Sequence, residues 1–252
     1  MGTVIVVTSG KGGTGKTSLT GGVASCLAVL GYRVLCVDMD IGLRNLDISL
    51  GMTDRALMDF TDVAQGRCPL KRAAAPHGTI PRLYLLTAPL SLPVPGPGTA
   101  QMKQFLEDAR EQFDYVFLDS PAGLGEGFRL AVAGSDRAIV VSTTDASALR
   151  DAQRTVAELT RSIPRIHLVM NRVRPRLLRK LHTTIDDAMD AAGLPLLGVV
   201  PEDPQVLIAA NSGLPLIMVS HRGAATAYLN IARRLTGQKV SIMKIKERGW
   251  NL

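Results

Sequence analysis

Lysine, threonine and aspartate at fixed spacings from glycine are the side chains that handle phosphate. Ser9-Gly10-Lys11-Gly12-Gly13-Thr14-Gly15-Lys16-Thr17-Ser18 fits the pattern G-x-x-x-x-G-K-[ST] from Gly10 to Thr17. Glycines let backbone N–H groups converge on phosphate oxygens, and a helix N-terminus behind them adds a favourable dipole. Lys16 stands where the side chain reaches β- and γ-phosphates, and Thr17 where a hydroxyl meets Mg²⁺. Gly10 to Ser18 is therefore the expected nucleotide cradle. Lys11 has no part in that scheme; taken alone, it is either a solvated loop lysine or a second functional cation.

A carboxylate at the end of a later strand should complete such a site. Asp119 follows Tyr115-Val116-Phe117-Leu118 and fits that position, holding Mg²⁺ through water. Gly123, in Asp119-Ser120-Pro121-Ala122-Gly123, would let a backbone amide approach the γ-phosphate. Guanine-specific loops use Asn-Lys-x-Asp, whose carboxylate accepts from the guanine ring. The comparable strand end here reads Asn171-Arg172-Val173-Arg174, with a donor at position 174. Adenine is the expected base, and ATP with Mg²⁺ the expected ligand.

The elements that must position these residues follow from periodicity. Val4–Val7, Val34–Val37, Leu83–Leu86, Tyr115–Leu118, Ala138–Val141, Ile166–Val169 and Leu196–Val200 are short, largely apolar runs. Several are apolar at consecutive positions, as in strands buried on both faces of a parallel sheet. Helical patterns lie between them: Lys16–Leu30, closed by Gly31, then Ala100–Gln112, Ala146–Ser162, Arg176–Ala192 and Ala224–Thr236. The alternation predicts an α/β fold with a doubly wound, mostly parallel sheet and helices on both faces. Pro89–Gly98 is too rich in proline and glycine for regular structure and is expected to be a surface loop.

The chain has 252 residues, 46% of them apolar, enough for one packed α/β domain. A net charge of +7 allows nucleotide, nucleic acid or an anionic membrane as partner without choosing among them. Cys26, Cys36 and Cys68 form no CxxC pair, and the four histidines show no metal spacing. With no basic n-region before Val4 and no apolar run of membrane-spanning length, the expected location is cytoplasmic.

Lys11-Gly12-Gly13-Thr14-Gly15-Lys16-Thr17 resembles the deviant Walker A motif of the ParA/MinD ATPase superfamily, KGGxGK[ST]. The resemblance spans Met1 to about Thr236, and it implies a P-loop ATPase that forms a homodimer around ATP. It gives Lys11 a role in trans, on the phosphates bound by the partner copy. Asp38-Met39-Asp40-Ile41-Gly42-Leu43-Arg44-Asn45-Leu46-Asp47 is similar to switch I of the division-site branch, and the D-P-Q-G-N of plasmid partition is absent. The resemblance implies that Asp40 positions or activates the attacking water, Asp38 supports the Mg²⁺ shell and Asn45 senses nucleotide at the dimer interface. Asn171, Arg172 and the Pro201-Glu202-Asp203 turn resemble the adenine-side contacts. Arg150-Asp151 resembles the helix on which family partners dock, a division inhibitor and a topology factor. Thr144, where the family usually has proline, and the proline-rich Pro89–Gly98 loop depart from the pattern.

The family's division branch ends in a short amphipathic membrane helix. The domain division expected here is residues 1–237 as the ATPase and 238–252 as a basic tail. At about 100° per residue Ile242, Ile245 and Leu252 group together, flanked by Met243 and Trp250. Lys239, Lys244, Lys246 and Arg248 are interleaved, as on an interfacial helix. Lys246 falls within the apolar arc, and Gly249 weakens the helix by about 1 kcal/mol relative to alanine. The implied function is spatial regulation of bacterial division by an ATPase held peripherally, through its tail, on the inner face of the cell membrane. The alternatives are a DNA-segregation ATPase, with phosphate contacts from Arg172, Arg174, Arg176, Arg179 and Lys180, and a flagellar-number regulator. An iron–sulfur carrier would need cysteines beside Asp119–Gly123, and none is there.

Overall fold

The computed structural model describes residues 1–53, 55, 58–91 and 93–245. The N-terminal half runs β1 (Thr3–Thr8), α1 (Lys16–Val29), β2 (Val34–Asp38), α2 (Leu46–Leu50), α3 (Phe60–Ala64), α4 (Leu70–Ala73), β3 (Ala75–Pro76), β4 (Leu83–Leu86) and α5 (Thr99–Gln112). It continues through β5 (Tyr115–Asp119), α6 (Glu126–Val132), β6 (Arg137–Ser142), α7 (Ala146–Leu159), β7 (Arg165–Val173), α8 (Pro175–Lys180) and α9 (Ile185–Ala192). The last elements are β8 (Leu196–Pro201), α10 (Pro204–Asn211), α11 (Leu216–Val219) and α12 (Ala224–Leu235).

The strands form one sheet in the order β3-β4-β2-β5-β1-β6-β7-β8, parallel except for the β3–β4 pair. This is the doubly wound sheet expected from the alternation. Side chains of β1 divide between its faces: Val4 and Val6 join a core with α5, α6, α7 and α9, while Ile5 and Val7 join a core with α1 and α12. Register places Asp38 directly beside Asp119, and Asp119 beside Val7. Two carboxylates thus finish neighbouring strands where β1 feeds the glycine loop. Among the described residues, no helix is long and apolar enough to cross a membrane.

The expected helix over Arg176–Ala192 is two helices. His182 adopts φ 51°, and Thr184 opens α9 with a reciprocal capping box to Asp187. The tail does not begin as a helix. Residues 238–245 carry no regular structure, and Met243 and Ile245 pack against the two cores. Arg234 fixes the segment by donating to the carbonyls of Val240 and Ser241, and from Nη1 to that of Leu197 in β8. Lys246, Arg248, Gly249, Trp250 and Leu252 lie outside the described residues.

One close approach governs how α12 sits on α1. A Cβ at Gly22 would lie 2.2 Å from Cδ2 of the buried Tyr228 ring. Alanine in a helix interior gains about 1 kcal/mol over glycine, whereas overpacking a core costs about 1–3 kcal/mol. Gly22→Ala is therefore expected to lower the urea midpoint, with a net loss on the order of 1–2 kcal/mol because an aromatic ring must move. An unchanged or raised midpoint would show that α12 shifts freely on α1.

Candidate nucleotide site

The glycine loop leaves β1 and enters α1 at Gly15, whose φ of 87° falls in the left-handed region. Helix α1 has no side-chain cap and no acidic residue in its first turn. Its first N–H groups are thus left for an anion. A Cβ at Gly10 would overlap the Asp151 carbonyl oxygen at 2.2 Å, whereas at Gly12 and Gly13 it would meet nothing within 4 Å. The loop is packed from behind by α7 and open in front. The buried hydroxyl of Thr14 has no hydrogen-bond partner among the described residues.

A cavity of about 1040 Å³ extends from this loop. Lys16, Thr17, Asp40, Asn45 and the Pro201-Glu202-Asp203 turn line it, and so do Gly12, Gly13, Gly15, Ser18, Asn171 and Arg172. Leu43, Ile48 and Leu207 stand exposed at its rim. The space suffices for a nucleotide. Gly123 lies beside the loop, its N–H 3.4 Å from the Ser9 carbonyl oxygen.

Asp38 and Asp119 are each 1% exposed. Burial pushes Asp119 up to about 7; the Asp38 charge adds to this, and Thr17, Lys16 and Thr20 oppose it. Burial likewise raises Asp38 to about 6 against the N–H groups of Asp40 and Leu46, with the charges of Asp40 and Asp47 pushing the same way as burial. Those N–H groups donate to Asp38 over 2.9 and 3.1 Å, so Asp38 ties switch I to the end of β2. Two adjacent buried carboxylates with a threonine hydroxyl beside them suit a small hard cation. Such a set is smaller than a dedicated cage, as expected where Mg²⁺ is shared with substrate phosphates. The residues present therefore fit ATP and Mg²⁺.

Lys11 opens on a neighbouring cleft with Thr143, Thr144, Asp145, Arg172 and Glu202. Its Nζ lies 2.8 Å from Ser147 Oγ and 3.3 Å from Asp145 Oδ1, with the side chain 47% exposed. Asp145 is also the N-cap of α7. The Thr143 hydroxyl, then Ser147, the Ala148 N–H and Lys11, hold its carboxyl well below the usual carboxylate range. In the single chain the second lysine is therefore paired in cis.

The residues expected on the adenine side divide their work. Asn171 is buried and donates from Nδ2 to the Thr14 carbonyl over 2.8 Å, fixing the loop. Arg172, at φ 54°, donates to the Gly13 carbonyl and to Glu202. Arg174 also donates to Glu202, so one carboxylate joins two arginines. Asp203 accepts from the N–H groups of Gln205 and Ala224, holding the starts of α10 and α12 together. Thr20, Asp145 and Ser147 were not among the expected site residues, and Arg174 was expected only as a nucleic-acid contact. Asp145-Ala146-Ser147 does carry an N-cap signal before a helical run, but nothing local ties it to Lys11.

Comparison with known proteins agrees with this geometry. Residues 5–216 match the CobQ/CobB/MinD/ParA nucleotide binding domain. The chain is 40% identical over 252 residues to the septum site-determining protein MinD of Bacillus subtilis, covering 98% of this chain and 94% of that protein. The fold superposes on the MinC:MinD cell division protein complex of Aquifex aeolicus with a TM-score of 0.90 and 33% identity, covering 97% of this chain and 100% of that one. It also superposes on MinD complexed with Mg-ADP from Pyrococcus horikoshii, with a TM-score of 0.83 and 28% identity, covering 93% and 96% of the two chains.

Proposed function

Since the chain belongs to the CobQ/CobB/MinD/ParA nucleotide-binding family and is a division-site placement ATPase, we propose that two copies close face to face over two ATP molecules, each lending Lys11 to the other. The observation carrying this reading is Lys11 itself, a half-exposed cation on the phosphate loop, held by Asp145 and Ser147 beside the cavity. The apolar rim of Leu43, Ile48 and Leu207 is a surface that a second copy would cover.

Within each site Gly10 to Ser18 hold the phosphates by backbone N–H groups, and Lys16 pairs with the β- and γ-oxygens. Thr17, Asp38 and Asp119 hold Mg²⁺, directly or through water. Bound Mg²⁺ neutralises charge on the phosphate oxygens. Asp40, anchored through its N–H to Asp38, orients the attacking water and accepts its proton. Asn45 opens α2 and ties switch I to the cavity. Gly123 leaves the Asp119–Gly123 loop close to the γ-phosphate. Asn171, Arg172 and the Pro201–Asp203 turn flank the adenine.

Release on hydrolysis follows from the same parts. Loss of the γ-phosphate removes what Lys11 of the other copy binds, and Lys11 returns to Asp145 at the start of α7. Arg150 and Asp151 lie on that helix, so a division-inhibitor partner docking there meets a surface whose end differs between monomer and dimer. The peripheral membrane contact is assigned to residues 238–252, with two tails per dimer binding more tightly than one.

Gel filtration tests the dimer. The mass is expected to double with ATP and Mg²⁺ and to stay that of a single chain with ADP. A single chain under both conditions would refute the face-to-face arrangement.

A further inference from the structure

Beside the Pro201–Asp203 turn lies a second groove, of about 940 Å³. Arg176 and Lys180 of α8, Arg222 before α12 and Met243-Lys244-Ile245 line it. Among the described residues two carboxylates border it, and both are already engaged. Glu202 accepts from Arg172 and Arg174, and Asp203 accepts from the N–H groups at the starts of α10 and α12. The described lining is thus cationic, with Met243 and Ile245 as its apolar part.

The position of the tail gives this charge a direction. Arg234 clamps Val240 and Ser241 to β8, and Ile245 packs on the core, so Met243, Lys244 and Ile245 of the tail are held where they line the groove. The next residues are Lys246-Glu247-Arg248-Gly249-Trp250, two further cations and the one tryptophan.

We propose that this groove binds the headgroups of anionic phospholipids, so that the folded body contacts the membrane beside the tail. A lipid phosphate meets Lys180, Arg222 and Lys244, while acyl-chain carbons near the interface face Met243 and Ile245. The proposal adds to the tail contact and rests on membrane residence as the setting. Each surface cation near an anionic bilayer strengthens binding roughly fivefold.

Co-sedimentation of the full chain with ATP and Mg²⁺ tests it, using vesicles of phosphatidylcholine alone and of equimolar phosphatidylcholine and phosphatidylglycerol. The double variant Lys180→Gln, Arg222→Gln, which leaves residues 238–252 unchanged, is expected to lose roughly 25-fold in partition to the anionic vesicles. Its weak partition to neutral vesicles, its ATP turnover and its thermal midpoint stay as in wild type. Trp250→Ser, which changes no described groove residue, separates the two contacts. If Trp250→Ser loses binding to both vesicle types while the double variant binds anionic vesicles like wild type, the groove proposal falls and the tail reading stands. If the double variant alone loses binding, the groove stands and the tail reading falls. Retained vesicle binding by the double variant, with loss of salt-dependent duplex DNA binding, would overturn the lipid assignment in favour of nucleic acid.

Discussion

Replacing Lys11 by alanine is expected to leave ATP binding within a few-fold of wild type and to lower turnover by about a thousandfold. That is the lower end of what a cation supplied in trans contributes to phosphoryl transfer. Binding survives because Lys16 and the loop N–H groups face the cavity, whereas Lys11 opens on the cleft beside it. The fold survives because Asp145 keeps its bonds from Ser147, Thr143 and the Ala148 N–H. Gel filtration of Lys11→Ala with ATP should show a single chain. A dimer with wild-type turnover would mean that the cis pair to Asp145 is all that Lys11 does.

Asp40→Ala is expected to act in the opposite sense on assembly. Turnover falls by on the order of 10²–10⁴-fold, the usual contribution of a general base, but the ATP-bound dimer forms and persists. Asp38 accepts from the backbone N–H groups of residues 40 and 46, so switch I keeps both anchors whatever side chain stands at position 40. The check is phosphate release in a single turnover together with the lifetime of the dimer on dilution. The combined variant Lys11→Ala, Asp40→Ala should be a single chain, because nothing is left to lend across. Rapid turnover in Asp40→Ala would transfer the water-positioning role to another group.

The sheet was legible because parallel strands buried on both faces leave continuous apolar runs, and each of the seven expected runs became a strand. The short elements were not. Helices α2, α3, α4, α6, α10 and α11 have four to eight residues each, too few for a period to emerge, and they form by packing on the sheet. The break within 176–192 did leave a trace, Thr184 three residues before Asp187, but the apolar periodicity on either side masked it. The phosphate loop could be found because all its parts are adjacent in sequence. The partners of Lys11 are 134 and 136 residues away, and only the winding of β6 back beside β1 brings them together. Likewise, the sharing of Glu202 by Arg172 and Arg174 depends on β7 pairing with β8.

In the proposed dimer, breaking the bond from Lys11 to Asp145 costs each chain the same amount at every concentration. Dimer yield among sparse chains rises with the square of their number because two copies must meet, and the broken bond lowers that yield throughout. Confining them to a plane raises their local abundance without altering any side chain. On the proposed arrangement, one loop lysine and one carboxylate set how strongly nucleotide turnover depends on local abundance.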